Sequence, residues 1–189
     1  LLESGMTQSK NAVNIAMKNF MDISVATITF WVIGYGLMYG AKTAGIISLG
    51  SDIWFNPGAG AHDVFFQLVF AATAATIVSG AIAGRTKYST YIIFTVFMTA
   101  IIYPISGGWQ WYGDGAWLAD MGFIDFAGSS IVHAVGGVAA LVAAIMVGPR
   151  LGKFGKDGSV NPIPGSNLLL GTLGVFILWL GWFGSVSYT

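Results

Sequence analysis

The sequence predicts an all-α integral membrane protein, and three observations support this fold class. Of the 189 residues, 55% are hydrophobic and only 8% are charged, so a soluble domain of this composition could not cover its own surface. Five apolar segments are each long enough to cross a bilayer as a helix. Most charges and turn-forming residues lie between these segments. We therefore expect a polytopic protein with about five full transmembrane helices.

The first two full spans are predicted at residues 20–40 and 64–83. Residues 1–5 are typical of the end of a preceding apolar helix and not of a signal peptide, so we expect a truncated N-terminus. In the second span, small residues recur at every fourth position and favour close helix packing. These residues are Ala71, Ala75, Ser79 and Ala83.

The remaining spans are predicted at residues 88–105, 126–147 and 168–186. The loops between spans are predicted from turn chemistry. They comprise residues 41–63, with a turn at 56–58, residues 106–124, with Trp109, Trp111 and Trp117, and residues 148–165, with three prolines.

The basic residues predict the orientation of the chain. An alternating topology places seven of the eight on one side, and the positive-inside rule makes that side cytoplasmic. The seven are Lys10, Lys18, Arg85, Lys87, Arg150, Lys153 and Lys156. The loops at 85–87 and 150–156 are therefore expected in the cytoplasm, and the tryptophan-rich loop faces outward.

His133 is the main candidate functional residue. It follows Asp125 by eight residues, which predicts a position about 12 Å below the outer end of its helix. An ionisable group inside a membrane is expensive and is therefore a functional candidate, with a neutral imidazole able to relay a proton. The alternative is a histidine that only bonds a neighbouring helix. Gly136 and Gly137, one turn later, either open a pore or allow close packing.

The outward loop and the second span supply further candidates. Its tryptophans are either membrane anchors or an aromatic face for a cation. Asp125 is either a helix N-cap or an electrostatic attractor of cations, and both roles can hold. Phe70 is read from composition as a lipid-facing or packing aromatic, and His62 as a surface histidine.

Several function classes find no support in the sequence. The net charge is zero and no basic patch is present, so we expect no nucleic-acid partner. Cysteine is absent, and no catalytic triad, metal-ligand spacing or cofactor motif is present. We therefore expect neither an enzyme nor a cofactor.

Four motifs in order closely resemble the ammonium transporter family (Amt/Mep/Rh), on its bacterial Amt side. They are SKNAVNIAMKNF at 9–20, GAIAGRTKYS at 80–89, DFAGSSIVHAVGG at 125–137 and GWFG at 181–184. The resemblance implies an eleven-helix fold in two inverted halves, assembled as a homotrimer. This chain would then be the end of helix one through helix six, with residues 1–189 forming a partial domain.

The resemblance also implies roles for individual residues. His133 matches the first of two pore histidines, and Phe70 matches a phenylalanine of the outer gate. Trp111 matches the aromatic wall of the external ammonium site, and Asp125 matches a structural and electrostatic residue beside it.

Three departures from the family pattern stand out. Gly84 replaces a usual glutamate, the segment between Trp111 and Trp117 is longer than expected, and residues 185–189 form an atypical ending. In that ending the second gate phenylalanine is replaced and the serine of the ammonium site cannot be assigned. The partner histidine is not present.

The function implied by the resemblance is transport of ammonium or methylammonium across the cell membrane. The external ion would be recruited and deprotonated, and ammonia would pass His133 in a hydrophobic pore. The implied partners are the lipid bilayer, two further copies in a homotrimer and a PII-type regulatory protein on the cytoplasmic side. The alternative is an ammonium sensor domain of a membrane signalling protein.

Overall fold

The computed structural model describes residues 1–43, 46–48, 54–55 and 60–185. Within these ranges, five helices are long and apolar enough to cross a membrane, which confirms the predicted number of spans. They are α2 (Ser9–Tyr39), α3 (Ala61–Ala81), α4 (Tyr88–Trp111), α6 (Ser129–Val147) and α7 (Leu168–Ser185). Shorter elements are α1 (Leu2–Met6), α5 (Trp117–Asp120) and the antiparallel pair of β1 (Lys42–Thr43) and β2 (Ile47–Ser48). The predicted turn at 56–58 and residues 186–189 of the atypical ending lie outside the described residues.

Helix α2 begins at Ser9, well before the predicted start of the first span at residue 20. Lys18 and Asp22 therefore lie inside the helix, and both are completely buried. The Nζ of Lys18 donates to the carbonyl of Thr86 at 3.2 Å and lies 5.5 Å from the ring centroid of Tyr91. Lys18 therefore lies inside α2 and bonds to the basic loop at 85–87, because buried partners let a charged side chain lie within the helix.

The side chain of Asp22 joins three helices of the bundle. Its carboxylate accepts hydrogen bonds from the hydroxyl of Thr95 at 2.7 Å and the hydroxyl of Thr76 at 2.9 Å. Thr95 is also fully buried. Buried polar groups need such partners, so this connection ties α2 to α3 and α4 in one arrangement. Sequence reasoning missed it, because Asp22 lies near the start of the predicted first span and its partners are distant in sequence.

Helices α2 and α4 cross at very short range. A Cβ atom on Gly34 would lie 2.6 Å from the carbonyl oxygen of Thr99, so only glycine fits this crossing. The hydroxyls of Thr29 and Thr99 are hydrogen-bonded at 2.6 Å beside it. Both helices carry a π-helical turn here, Phe30–Gly34 in α2 and Met98–Ile102 in α4. A π-helical turn contains more residues than an α-helical turn, so it changes the direction in which the following side chains point.

Helix α4 continues past the predicted end of the third span and reaches Trp111. Gly107 and Gly108 predict a loop by turn chemistry, but both are buried inside the helix. A Cβ on Gly107 would lie 2.6 Å from Cε of Met38, so a side chain there would displace the end of that buried methionine. Trp109 and Trp111 therefore lie in the last helical turn, and the prediction that they belong to a loop is wrong.

The rest of the bundle packs α3 against α6 and α1 against α7. Ala71, Ala75 and Ser79 are fully buried, and Ala83 is nearly so, which confirms the predicted packing stripe. At the contact of α1 and α7, a Cβ on Gly5 would lie 2.5 Å from the backbone nitrogen of Gly171. Most of the large apolar side chains of α7 are exposed in this chain.

Candidate functional site

A cavity of about 590 Å³ lies at the end of the bundle where α4 ends and α6 begins. It is called the outer cavity here because the charge pattern predicts that this end faces outward. Two predicted site residues, Phe70 and Trp111, form part of its wall. Ser185, the first residue of the atypical ending, also lines it. The structure therefore brings together residues that are far apart in sequence and come from α3, α4 and α7.

The wall of this cavity contains three aromatic rings in contact. Phe70 and Trp111 have ring centroids 5.7 Å apart at an interplanar angle of 64°. Phe66 lies one turn before Phe70 on α3, and their centroids are 5.0 Å apart at 79°. Edge-to-face pairs of this kind are stabilising and hold the rings in a defined orientation. Phe66 was not predicted as a site residue, although its spacing of four from Phe70 on one helix is a visible signal.

Trp111 is held in place by the segment that precedes α6. Its indole Nε1 donates to the backbone carbonyl of Asp125 at 2.7 Å. A Cβ on Gly128 would lie 3.2 Å from the indole ring, so a side chain there would press on it. The indole is therefore oriented by a hydrogen bond on its polar edge while its ring lines the cavity. The other two tryptophans of the predicted outward loop, Trp109 and Trp117, form a separate pair with ring centroids 5.5 Å apart.

Asp125 is a helix cap with an unusual number of bonds. Its side chain is only 8% exposed, and its two carboxylate oxygens accept four backbone N–H groups between 2.8 and 3.0 Å. The donors are Gly128, Ser129, Ser130 and Ile131. These are among the N–H groups that the start of a helix leaves without partners. The predicted capping role of Asp125 thus agrees with the geometry, although Gly128 is the N-cap residue and Asp125 caps the helix from three residues earlier. Asp125 is not among the described residues that line the cavity.

His133 lies in the first turn of α6, which is π-helical from Ser129 to Ala134. Counted from Ser129, its depth along the helix is about 6 Å. The predicted 12 Å was too large, because the helix begins after Asp125. Residues 125–128 instead form the cap, with Gly128 in a left-handed conformation at φ 90°.

The ring of His133 is oriented by the same glycine. Its Nδ1 lies 3.1 Å from the backbone carbonyl of Gly128. A carbonyl oxygen only accepts hydrogen bonds, so Nδ1 carries the proton in this contact. In the neutral ring, Nε2 is then an acceptor. Gly128 thus links two predicted residues, since its N–H donates to Asp125 and its carbonyl accepts from His133.

The two glycines after His133 have different surroundings. A Cβ on Gly136 would lie 2.8 Å from the carbonyl oxygen of Ala74 and 3.0 Å from the side chain of Ile77. Gly136 is therefore needed for the close approach of α6 to α3. A Cβ on Gly137 would meet nothing within 4 Å. The packing alternative applies to Gly136, and Gly137 faces open space on the side where His133 is exposed.

Known proteins resemble this chain along nearly its whole length. Residues 1–185 match the Ammonium Transporter Family. The ammonium transporter Amt2 of Archaeoglobus fulgidus is 47% identical over 200 aligned positions, which cover 97% of this chain and 42% of that protein. The ammonium transporter Amt1 of Haloferax mediterranei is 42% identical, covering 97% of this chain and 38% of that protein.

Solved structures agree with the sequence relatives. A protein described as a sensor Amt protein superimposes with a TM-score of 0.91 at 45% identity, covering 97% of this chain and 48% of the other. Mep2 of Candida albicans superimposes with a TM-score of 0.81 at 26% identity, covering 97% and 42%. The chain thus spans less than half the length of the relatives it matches. Motifs, helix arrangement and relatives together establish that this multi-pass membrane chain belongs to the ammonium transporter family.

Proposed function

We propose that this chain forms half of a transport pathway for ammonium, with the outer cavity as the entrance and His133 beside the path of ammonia. The proposal rests on one observation. The aromatic cavity and the exposed imidazole of His133 are adjacent, because Gly128 lies against Trp111 and bonds to His133. The names of the relatives support ammonium as the substrate. The other half of the pathway corresponds to the part of the relatives that this chain does not span.

Recruitment of the ion is assigned to the aromatic wall. A cation against an indole face gains about 0.5–2 kcal/mol, with the larger value when water is excluded. Trp111 suits this role because the hydrogen bond to Asp125 orients its ring. Phe70, in contact with Trp111, is assigned to the gate that separates the cavity from the deeper pore. The rings attract the ion without forming a bond that would retain it.

Deprotonation allows the substrate to pass. An intact ion would lose its hydration in an apolar pore, and the free-energy cost of burying an unpaired charge is large. When ammonium releases a proton, the bonding electron pair stays on nitrogen and neutral ammonia is left. Nε2 of His133 can accept a hydrogen bond from ammonia, because Nδ1 holds the ring proton. The proton leaves by a relay in which His133 takes part.

The test is uptake of radiolabelled methylammonium, with membrane current, by the intact protein carrying His133→Ala. We expect at least a tenfold lower uptake, or a loss of discrimination against potassium, because the polar acceptor in the pathway is removed. The matched control is His62→Ala, which changes the exposed histidine at the start of α3 and should leave both readings unchanged. Wild-type uptake and selectivity in His133→Ala would refute the assigned role.

A sensor is the second candidate, because the structure with a TM-score of 0.91 is described as a sensor Amt protein. In this alternative the cavity binds ammonium and the bundle passes the binding signal to another domain. The intact reading frame distinguishes the two, since a signalling domain after the membrane helices favours sensing. A protein that binds methylammonium but transports none would also favour the sensor.

We further propose that the intact protein is a homotrimer in the cell membrane, with the basic end in the cytoplasm and a PII-type protein as its regulator there. No chemical conversion of the substrate is required. Cross-linking in native membranes tests the assembly, and a dominant species other than the trimer would refute it. The orientation is tested with the Lys156→Cys variant and a thiol reagent that does not cross the membrane. We expect labelling only when the reagent is added to the cytoplasmic side.

A further inference from the structure

A second cavity, of about 350 Å³, lies at the basic end of the bundle, opposite the outer cavity. The start of α2, the end of α3 and the segment after α6 form its walls. Three basic residues line it, namely Lys10, Arg85 and Arg150. No acidic side chain is among its lining residues in the described part of the chain. The transport pathway proposed above does not use this cavity.

Two of the basic side chains, Arg85 and Arg150, donate hydrogen bonds to backbone carbonyls at helix ends. The guanidinium of Arg85 donates to the carbonyls of Ala81 and Gly148, and Nε of Arg150 donates to the carbonyl of Ala83 at 3.2 Å. Cations at the C-terminal ends of helices are favourable, because the last carbonyls there lack partners. These contacts place both guanidinium groups at the cavity. They are structural and do not neutralise the positive charge with a carboxylate.

Other donors around the cavity are not committed. Within the described residues, no hydrogen bond or ion pair engages Nζ of Lys10 or the two terminal nitrogens of Arg150. The cavity therefore combines unused donors with uncompensated charge.

The N-terminus of α2 adds to the positive potential. This helix has 21 residues in its regular first part, no acidic residue in its first turn, and a cap residue, Gln8, whose side chain makes no capping hydrogen bond. The positive end of the helix dipole and the free N–H groups favour an anion at this place. Gln8 and Lys10 both line the cavity, so the helix start opens into it.

Gly84 keeps the opposite wall free of a side chain. It has φ +72°, and a Cβ there would lie 2.8 Å from Nδ2 of Asn11. A larger residue would therefore be strained and would displace the side chain of Asn11, a residue that also lines the cavity. Glycine at this position leaves the cavity open and without a side chain of its own to offset the charge.

We propose that this cavity binds a phosphate group, either of an anionic lipid headgroup or of free phosphate. Phosphate has several acceptor oxygens and negative charge, which match a guanidinium, an ammonium and a helix N-terminus at one place. The cavity lies at the ends of membrane-spanning helices, where both sources can reach it. The ligand stabilises the contact between α2, α3 and α6 at the basic end.

Binding is measured on the intact protein in nanodiscs, in two arms. In the first, inorganic phosphate is titrated calorimetrically into nanodiscs of phosphatidylcholine. In the second, native mass spectrometry compares retention of phosphatidylglycerol with retention of phosphatidylcholine. The variants are Lys10→Gln, which removes an exposed side chain without a partner, and Lys10→Gln combined with Arg150→Gln. The matched control is Lys156→Gln, an exposed lysine of the same end that does not line the cavity.

We expect saturable binding by the wild-type protein in one arm, which identifies the source of the phosphate group. Affinity should fall about threefold in Lys10→Gln and at least tenfold in the double variant, and remain unchanged in Lys156→Gln. No binding in either arm would overturn the proposal. Equal binding by Lys10→Gln and wild type, or an equal loss in Lys156→Gln, would also overturn it, because a diffuse surface charge would then suffice. Since Lys10→Gln removes no contact seen in the structure, misfolding does not obscure the result.

Discussion

Replacement of Asp125 by asparagine tests whether this residue acts mainly through the start of α6. The carboxylate accepts four backbone N–H groups, two on each oxygen. Asparagine keeps one acceptor oxygen and presents an NH₂ group in place of the other. Two hydrogen bonds are therefore lost, and two N–H groups face a donor in a site that is only 8% exposed.

The expected loss of stability follows from these bonds. A hydrogen bond to a charged group contributes about 1.5–3 kcal/mol, and a lost N-cap typically costs about 0.5–2 kcal/mol. For two bonds with partial rearrangement we expect a loss of about 2–4 kcal/mol. At roughly 2 °C per kcal/mol, this lowers the melting temperature by roughly 4–8 °C. Trp111 should also become more mobile, because it donates to the backbone of the same residue.

The assay is thermal unfolding of the detergent-solubilised protein, followed by size-exclusion chromatography with tryptophan fluorescence. Asp120→Asn is the matched control, because it removes an exposed carboxylate from the same end of the bundle without removing a cap. A melting temperature of Asp125→Asn within 1 °C of the wild type would refute the capping argument, the threshold being about half a kcal/mol. Equal effects of both variants on methylammonium affinity would instead favour general electrostatic attraction.

Three further predictions concern the aromatic wall, the contact of α6 with α3 at Gly136, and the buried carboxylate of Asp22. Trp111→Leu should raise the half-saturating methylammonium concentration roughly fivefold, since it removes about 1 kcal/mol of cation–π attraction, and an unchanged uptake curve would contradict this. Gly136→Ala should destabilise the protein by about 1–2 kcal/mol because of overlap with a backbone carbonyl, whereas Gly137→Ala should be neutral or more stable by up to about 1 kcal/mol. Thermal unfolding measures the stability of both variants. A lower stability of Gly137→Ala than of Gly136→Ala would contradict the packing role assigned to Gly136. In a double-mutant cycle, Asp22→Asn and Thr95→Val should couple by about 1 kcal/mol, and additive effects would show that their hydrogen bond does not contribute.

The sequence predicted the number of spans correctly, but their boundaries less well. Transfer of apolar side chains from water depends mainly on composition, so each central apolar segment is readable without the fold. The start of α2 was missed because Lys18 suggested a position before the apolar segment. The end of α4 was missed because Gly107 suggested a turn. In both cases tertiary partners decided the local structure, and those partners are distant in sequence.

For the candidate site, the resemblance supplied the residues and the structure supplied their relations. Phe70 was expected in the outer gate and Trp111 in the external ammonium site, and the structure adds that the two rings are in edge-to-face contact. Capping and electrostatic attraction were both expected to be possible for Asp125, and the four N–H donors support the capping role. The assigned roles in transport remain predictions, because neither the geometry nor the relatives test them for this chain.

By itself, the sequence determined the fold class, the number of spans and the concentration of basic residues between certain spans, because hydropathy and charge are properties of local segments. Only the tertiary structure decided that Phe66 joins the aromatic wall, that Gly128 connects Asp125 to His133, and that a basic cavity exists at the other end. These features depend on distances between separate helices. Such distances are set by close contacts, such as the one at Gly136, that composition does not encode.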